Sequence, residues 1–351
     1  IGPKSTLILC TVGCTLITII SGLIVLGGFS VALMIPLLFI CRFLLGAFQG
    51  PLFPATAGGV IARWFPSGSW ALPNGMTSTA LALGSASTPP IIVYLAEYFG
   101  WQSTFFLISI LGVIGTLIWW KYSTNWPNEH PDINHSELEL IGEPDFNNNQ
   151  MTWPMVKEVL SNKNILFTAL GYMSMNYVFF IFYSWIFIYF VNIRGFNILE
   201  GSMLASLPFL MGAIGATCGG YLCDRLQKRF GVIWGHRIPV IIGLIPSAGF
   251  LLFGSITEHP YLAVLSLSLC YGFIELTEGP FWSTIGFISD KPQAAGGILN
   301  TGGNLGGVLA TPLIPIMVAE YDWVIALNSG GVFAILGVLF FMQVKFNQTD
   351  E

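Results

Sequence analysis

The chain has 351 residues, of which 54% are hydrophobic and 9% charged, with a formal net charge of −5 and a mean hydropathy of +0.72. Soluble domains carry roughly 25% charged residues, so a chain this poor in charge cannot cover the surface of a soluble globule, and its long aperiodic apolar runs exclude collagen, coiled coil and disorder. What remains is an all-α polytopic membrane protein, a class suited to 40 glycines and 20 prolines because bilayer helices tolerate both residues better than soluble helices do.

A spanning helix needs roughly 20 apolar residues. Ten stretches qualify: 5–27, 32–62, 72–95, 102–121, 164–190, 201–222, 238–256, 260–288, 294–318 and 323–344. With a cytoplasmic start, the inside connectors hold Lys4, Arg63, Lys121, Lys157, Lys163, Arg225, Lys228, Arg229, Arg237, Lys291 and Lys345, which is 11 of the 13 Lys and Arg. Arg194 alone lies outside, and Arg42 falls within a span. The positive-inside rule therefore supports ten spans with both termini cytoplasmic.

Residues 122–163 form the one long polar connector. It holds seven acids (Glu129, Asp132, Glu137, Glu139, Glu143, Asp145, Glu158) and the tract DFNNNQ. It reads as a solvated cytoplasmic linker between a four-span bundle at 1–121 and a six-span bundle at 164–351; docking of a partner is the alternative reading. The six cysteines are scattered without a CxxC pair, and the four histidines fall in polar connectors, so neither metal nor cofactor is expected. There is no GxxxxGK[ST] for an ATP-driven pump, no Ser/His/Asp set for catalysis and no basic run for nucleic acid. An enzyme is not expected.

The two bundles echo each other. FQGPLFPAT (48–56) aligns with TEGPFWST (277–284) at an offset of 229, and STPPIIVYLAEYFGW (87–101) with ATPLIPIMVAEYDW (310–323) at an offset of 223. Both matches run in the same direction, which implies two halves related by an axis along the membrane normal, with substrate bound at the midplane. The matches sit in spans two and three of the first bundle but in four and five of the second. The first half thus lacks two helices at its front, and the chain opens on Ile-Gly-Pro-Lys without Met.

This architecture resembles the major facilitator superfamily, with twelve spans in two six-helix halves, ten of them present here. GGYLCDRLQKRFG (219–231) resembles its signature loop, and IGPK resembles the tail of the same loop in the first half. RFLLGAFQGPLFP (42–54), IARWFP (61–66), FGWQSTFF (99–106), NEHP (128–131), NYVFF (176–180), SLPFLMGAIGA (206–216) and AAGGILNTGGNLGG (294–307) resemble the anion:cation symporter family within it. That family includes bacterial sugar-acid and aromatic-acid carriers and is related to sialic acid and vesicular glutamate carriers. The resemblance implies a monomeric secondary transporter of a small organic anion, coupled to protons, in the bacterial inner membrane. An exporter of a lipophilic compound and a non-transporting sensor are the alternatives.

An arginine within a span costs at least ~2.5 kcal/mol on insertion scales, so Arg42 is expected to face an aqueous cavity or a partner. Its guanidinium fork suits a substrate carboxylate; a structural ion pair or an interfacial position is the alternative. In the family, an arginine in this R-x-x-x-G context is associated with anion binding. Gln49 is seven residues on, on the same helical face. The family often has a carboxylate there, but an amide does not titrate, and Gln49 is expected to hydrogen-bond substrate hydroxyls.

Tyr271, Glu275 and Glu278 form an i, i+4, i+7 stripe. The repeat pairs Glu278 with Gln49, which makes it the counterpart of the missing carboxylate. A carboxyl in a low-dielectric cavity can bind a proton near physiological pH, so Glu278, and after it Glu275, are the expected proton carriers; a salt bridge to Arg42 is the alternative. Asn176, Phe180 and Tyr183 share one face of the fifth span. With Tyr177, Tyr271, Asn300 and Asn304 they complete the expected substrate-binding set, and Ser78, Thr79 and Ser85 are lesser candidates. By resemblance, Asp224 and Arg225 belong to a conformational latch in which a carboxylate caps a neighbouring helix or pairs with a loop base; solvated loop charges are the alternative.

Overall fold

The computed structural model describes residues 2–142 and 153–346. Glu143, Asp145 and the DFNNNQ tract lie outside the described residues. The helices are α1 (Pro3–Leu26), α2 (Val31–Gln49), α3 (Ala71–Phe99), α4 (Ser103–Tyr122), α5 (His135–Ile141), α6 (Trp153–Ser161), α7 (Lys163–Asn192), α8 (Ile198–Ile256), α9 (Pro260–Glu275), α10 (Glu278–Ile288), α11 (Pro292–Glu320) and α12 (Trp323–Met342).

At about 1.5 Å per residue, α8 would run about 90 Å as a straight rod, three times the roughly 30 Å hydrocarbon core. It does not. Gly231 sits at φ 77° and ψ 169°, a conformation open only to glycine without strain. A Cβ on Gly235 would lie 2.5 Å from the Cα of Gln227, so the chain folds back on itself and segments 198–230 and 232–256 form a hairpin. Counting the hairpin as two crossings turns the nine long apolar helical stretches among the described residues into ten. The connector expected after residue 222 is instead helix as far as Phe230. His236, expected in a polar connector, is fully buried and contacts Ser283 Oγ at 2.9 Å, because the helix resumes directly after the turn.

The sequence repeat reappears as a repeat of element lengths. An interrupted helix is followed in each half by helices of 29 and 20 residues: α3 and α4 in the first, α11 and α12 in the second. By their contacts the residues group into two units. One comprises 1–66 and 91–147, the other 67–90 and 148–351, so α3 contributes to both.

In the first unit, α1 buries the stripe Leu7, Cys10, Gly13, Ile17, Ser21, spaced for one helix face. Gly13 receives the Phe48 ring, and Gly22 the Phe105 Cβ and the Phe106 ring. The start of the expected linker is bound to this unit. Arg63 donates to Asn125 O at 3.2 Å and lies 4.0 Å over the Trp126 ring. Lys4 donates to Ser123 O at 2.6 Å, and Trp64 meets His130 edge-on. Two of the family-like strings, IARWFP and NEHP, thus meet in space.

In the second unit, small residues bring backbones together. A Cβ on Gly215 would fall 1.9 Å from Gly272 O, and one on Gly219 1.9 Å from Leu276 O. Gly302, Gly303, Gly306 and Gly307 of α11 seat against Ala169, Tyr172, Met173 and Phe180 of α7 in the same way. The amphipathic α6 is tied to the start of α11 by the Glu158–Lys291 ion pair.

Candidate functional site

Proline inside a helix removes one backbone hydrogen bond, and its ring collides with the carbonyl four residues back. Pro280 imposes this on Leu276. The eighth span, expected to be continuous over 260–288, therefore breaks: α9 ends at Glu275, Leu276 and Thr277 turn, and α10 restarts at Glu278. Thr277 N bonds to Ile274 O at 3.0 Å, one residue short of helical register. Pro51 acts likewise in the first half. The span expected over 32–62 breaks after Gln49 and continues through a π-helical stretch, Ala55–Ile61, a geometry that recurs at functional sites.

Both glutamates flanking the second break are buried, at 3% exposure for Glu275 and 7% for Glu278. Among the described residues neither belongs to an ion pair. Glu278 Oε1 accepts from the Tyr172 hydroxyl at 2.7 Å and from the Trp282 indole at 3.1 Å. The same indole N–H also reaches the Tyr172 oxygen at 3.1 Å. Among the described residues, Glu278 Oε2 is buried with no hydrogen-bond partner. A negative group in the first turn of α10 is favoured by the helix dipole, and two donors on one oxygen hold it there.

Sequence reasoning missed Tyr172 and Trp282. Each carried a local signal: Tyr172 is one turn before Asn176, and Trp282 one turn after Glu278. Nothing in their spacing joins residues so far apart in sequence.

The remaining expected residues separate into groups. Asn176 is buried beside this cluster and donates to Tyr172 O at 3.0 Å. Phe180 is half-buried against Gly307, and Tyr183 is exposed. Tyr177 does not join them. It is fully buried, stacks on Phe333 at 3.9 Å and bonds to Ser329 at 2.9 Å, because it lies about 100° around α7 from Asn176, on the face that packs against α12. Tyr271 is also fully buried, among Phe179, Phe182 and Phe209, in space left by Gly212. The helix break divides it and Glu275 from Glu278, so the expected three-residue stripe is two. Asn300 is half-buried; Asn304 is exposed and donates to Asn300 O at 2.8 Å.

Arg42 and Gln49 lie in the first unit, both exposed. The α2 positions turned inward are Met34, Cys41, Leu45 and Phe48 among others. Arg42 and Gln49 each follow one of these by a single residue, so they share a second face about 100° away. Arg42 is the one charged residue between Lys4 and Arg63.

Of the arrangements open to Asp224, the structure shows a helix cap. Oδ1 accepts from Ala71 N at 3.2 Å and Oδ2 from Leu72 N at 3.0 Å, two donors that the first turn of α3 leaves unsatisfied. Close packing reinforces the cap: a Cβ on Gly75 would lie 2.3 Å from Ala216 O, and one on Gly220 2.5 Å from Ala71 O. Thr79 bonds to Thr217 at 2.6 Å. Arg225 stands apart from the cap. It is exposed and donates to Tyr221 one turn back at 3.0 Å, because consecutive residues leave a helix on different faces.

Comparison with known proteins places this geometry. The family model described as "Major Facilitator Superfamily" matches residues 1–296. The probable galactarate/D-glucarate transporter GudP of Bacillus subtilis is 31% identical over 329 residues, covering 89% of this chain and 70% of that protein. The hexuronate transporter of the same organism is 28% identical over 326 residues, covering 90% and 75%. The solved structure of the transporter FucP in its outward conformation overlays with a TM-score of 0.68 at 13% identity, over 98% of this chain and 84% of that one. The family model covers most of the chain and the GudP match spans most of both proteins, so the chain belongs to the family: this is a multi-pass integral membrane transporter of the Major Facilitator Superfamily.

Proposed function

We propose that the protein carries a sugar acid, or another small carboxylate, across the bacterial inner membrane together with a proton, by alternating access, with both termini in the cytoplasm. The similarity to galactarate/D-glucarate and hexuronate transporters supports the substrate class. The observation that carries the coupling is Glu278, a buried carboxyl at a helix break with one oxygen doubly bonded and the other bare. A buried carboxyl without a cation is neutralised by a proton rather than by a salt bridge.

In this reading Arg42 grips the substrate carboxylate with its planar fork. Gln49, Asn176, Asn300 and Asn304 offer amides to hydroxyls, Phe180 and Tyr183 flank the sugar face, and Glu278 holds the proton, with Glu275 its buried neighbour. The Asp224 cap on α3 is the latch, made in one conformation and released in the other. The energetics favour coupling: moving each negative charge inward costs ~2.3 kcal/mol per 100 mV, and each proton cancels one such charge. Each unit of pH gradient then adds ~1.4 kcal/mol.

The test is uptake of D-glucarate, D-galacturonate and an aromatic carboxylate into proteoliposomes under an imposed pH gradient. We expect the sugar acids to accumulate in an Arg42-dependent manner and Glu278→Gln to abolish accumulation while retaining exchange of substrate across the membrane. Gradient-driven accumulation by Glu278→Gln at the unaltered level contradicts the coupling. Equal uptake by Arg42→Ala contradicts the anion grip.

A further inference from the structure

The Glu278 carboxyl is asymmetric, and the asymmetry has a direction. An indole nitrogen only donates, so the Trp282 N–H points at the Tyr172 oxygen and at Glu278 Oε1, each at 3.1 Å. The Tyr172 oxygen therefore accepts from the indole, and its own hydrogen goes to Oε1 at 2.7 Å. Two hydrogens converge on Oε1 while Oε2 has no hydrogen-bond partner among the described residues. A hydroxyl on Oε1 would face both of those hydrogens; a hydroxyl on Oε2 would face neither.

We propose that Tyr172 and Trp282 are positioning residues that confine the transported proton to Oε2 of Glu278. The proposal rests on the reading of Glu278 as the proton carrier. Loading forms an O–H bond at Oε2 with a proton from hydronium, leaving water and a neutral acid whose Oε1 remains the carbonyl acceptor. Unloading breaks that bond, returns the proton to water and restores the carboxylate. No electrons change hands, and the two hydrogen bonds to Oε1 survive both states, so the carboxyl exchanges its proton without rotating.

The clamp is held from a third helix. A Cβ on Gly303 of α11 would lie 2.5 Å from the Tyr172 ring and 3.0 Å from Asn176 Nδ2. Gly303 sits between Asn300 and Asn304, two of the amides assigned to substrate, so a shift of α11 against α7 bears on the Tyr172 ring. The titratable groups around Glu278 are Tyr172 on α7 and Glu275 and Tyr271 on α9. On α8, His236 is engaged with Ser283 and Asp224 with the α3 terminus. α12 and residues 71–90 of α3 carry no titratable side chain.

The experiment measures D-glucarate uptake into proteoliposomes against external pH at a fixed pH difference, for the unaltered protein, Tyr172→Phe, Trp282→Phe and Glu278→Gln, with substrate counterflow as the measure of folded protein. Donors on Oε1 favour the carboxylate over the acid. Removing either lets the acid persist to higher pH, so the alkaline limb of the profile should move up by about one pH unit, tenfold in proton affinity. If one variant lacks counterflow, the other carries the test, and Gly303→Ala, which displaces the Tyr172 ring, should shift the profile in the same direction. Profiles that superimpose on the unaltered one, while Glu278→Gln loses gradient-driven accumulation, overturn the clamp and leave the proton carrier standing. Unaltered accumulation by Glu278→Gln overturns the carrier beneath it.

Discussion

In the first half α2 ends at Gln49, and Gly50–Pro51 leads into a π-helical stretch; in the second, α9 ends at Glu275 and α10 restarts at Glu278, just ahead of Gly279–Pro280. The backbone device is the same and the side chains are opposite. The first break follows a helix that exposes an arginine and an amide and carries no acid. The second sits between two buried glutamates with no base on either flanking helix. The same weakened helix thus occurs twice with different side chains, an exposed arginine and amide in one copy and two buried glutamates in the other, which the proposal reads as an anion grip and a proton site.

That division can be broken most sharply at Arg42. Arg42→Ala removes a charge-assisted contact worth about 1.5–3 kcal/mol, so uptake of D-glucarate should fall about 10–100-fold, with Arg42→Lys intermediate because a point charge cannot bind bidentately. Next comes the packing that holds the second half together. Gly215→Ala places a methyl 1.9 Å from Gly272 O, and such overpacking costs about 1–3 kcal/mol. The apparent melting temperature of the detergent-solubilised protein should drop by about 2–10 °C.

Smaller effects sharpen the comparison. Asp224→Ala removes the cap on α3, about 1 kcal/mol, which hydrogen exchange should report as roughly fivefold faster exchange at Ala71, Leu72 and Asn74. Asp224→Asn should fall between, since asparagine also caps. The smallest change is expected for Gln49→Ala, where a neutral hydrogen bond worth about 0.5–1.5 kcal/mol is lost. Its uptake affinity for a hydroxylated acid should weaken about 2–10-fold, with no change for an acid lacking hydroxyls.

Much of the fold was legible because the bilayer imposes length. Ten apolar stretches were enough to locate the long helices among the described residues. The breaks were less so, although Pro51 and Pro280 announced them: a hydrophobic run reads as one span whether or not a proline interrupts it. The compact turn at Gly231 was hidden because polar residues 224–230 read as loop, whereas here they extend a helix beyond the apolar core.

At the site, residues with a local signal could be picked out. Glu278 stood out as a charge in an apolar run, and Asp224 as part of a loop signature. Tyr172 and Trp282 could not be tied to Glu278, since Tyr172 is brought to it only by the packing of α7 against α10 and α11. Tyr177 shows the converse. A polar aromatic next to Asn176 invites a binding role, yet one residue turns it into the core against Phe333 and Ser329.

The central claim is that the proton travels on Glu278, and substrate-induced proton movement tests it directly. Proteoliposomes loaded with a pH-sensitive dye are given external D-glucarate with no imposed gradient, and lumenal pH is followed. The unaltered protein should acidify the lumen as substrate enters, and Glu278→Gln should move substrate in counterflow with no change in lumenal pH. Acidification of equal extent in Glu278→Gln would contradict the account.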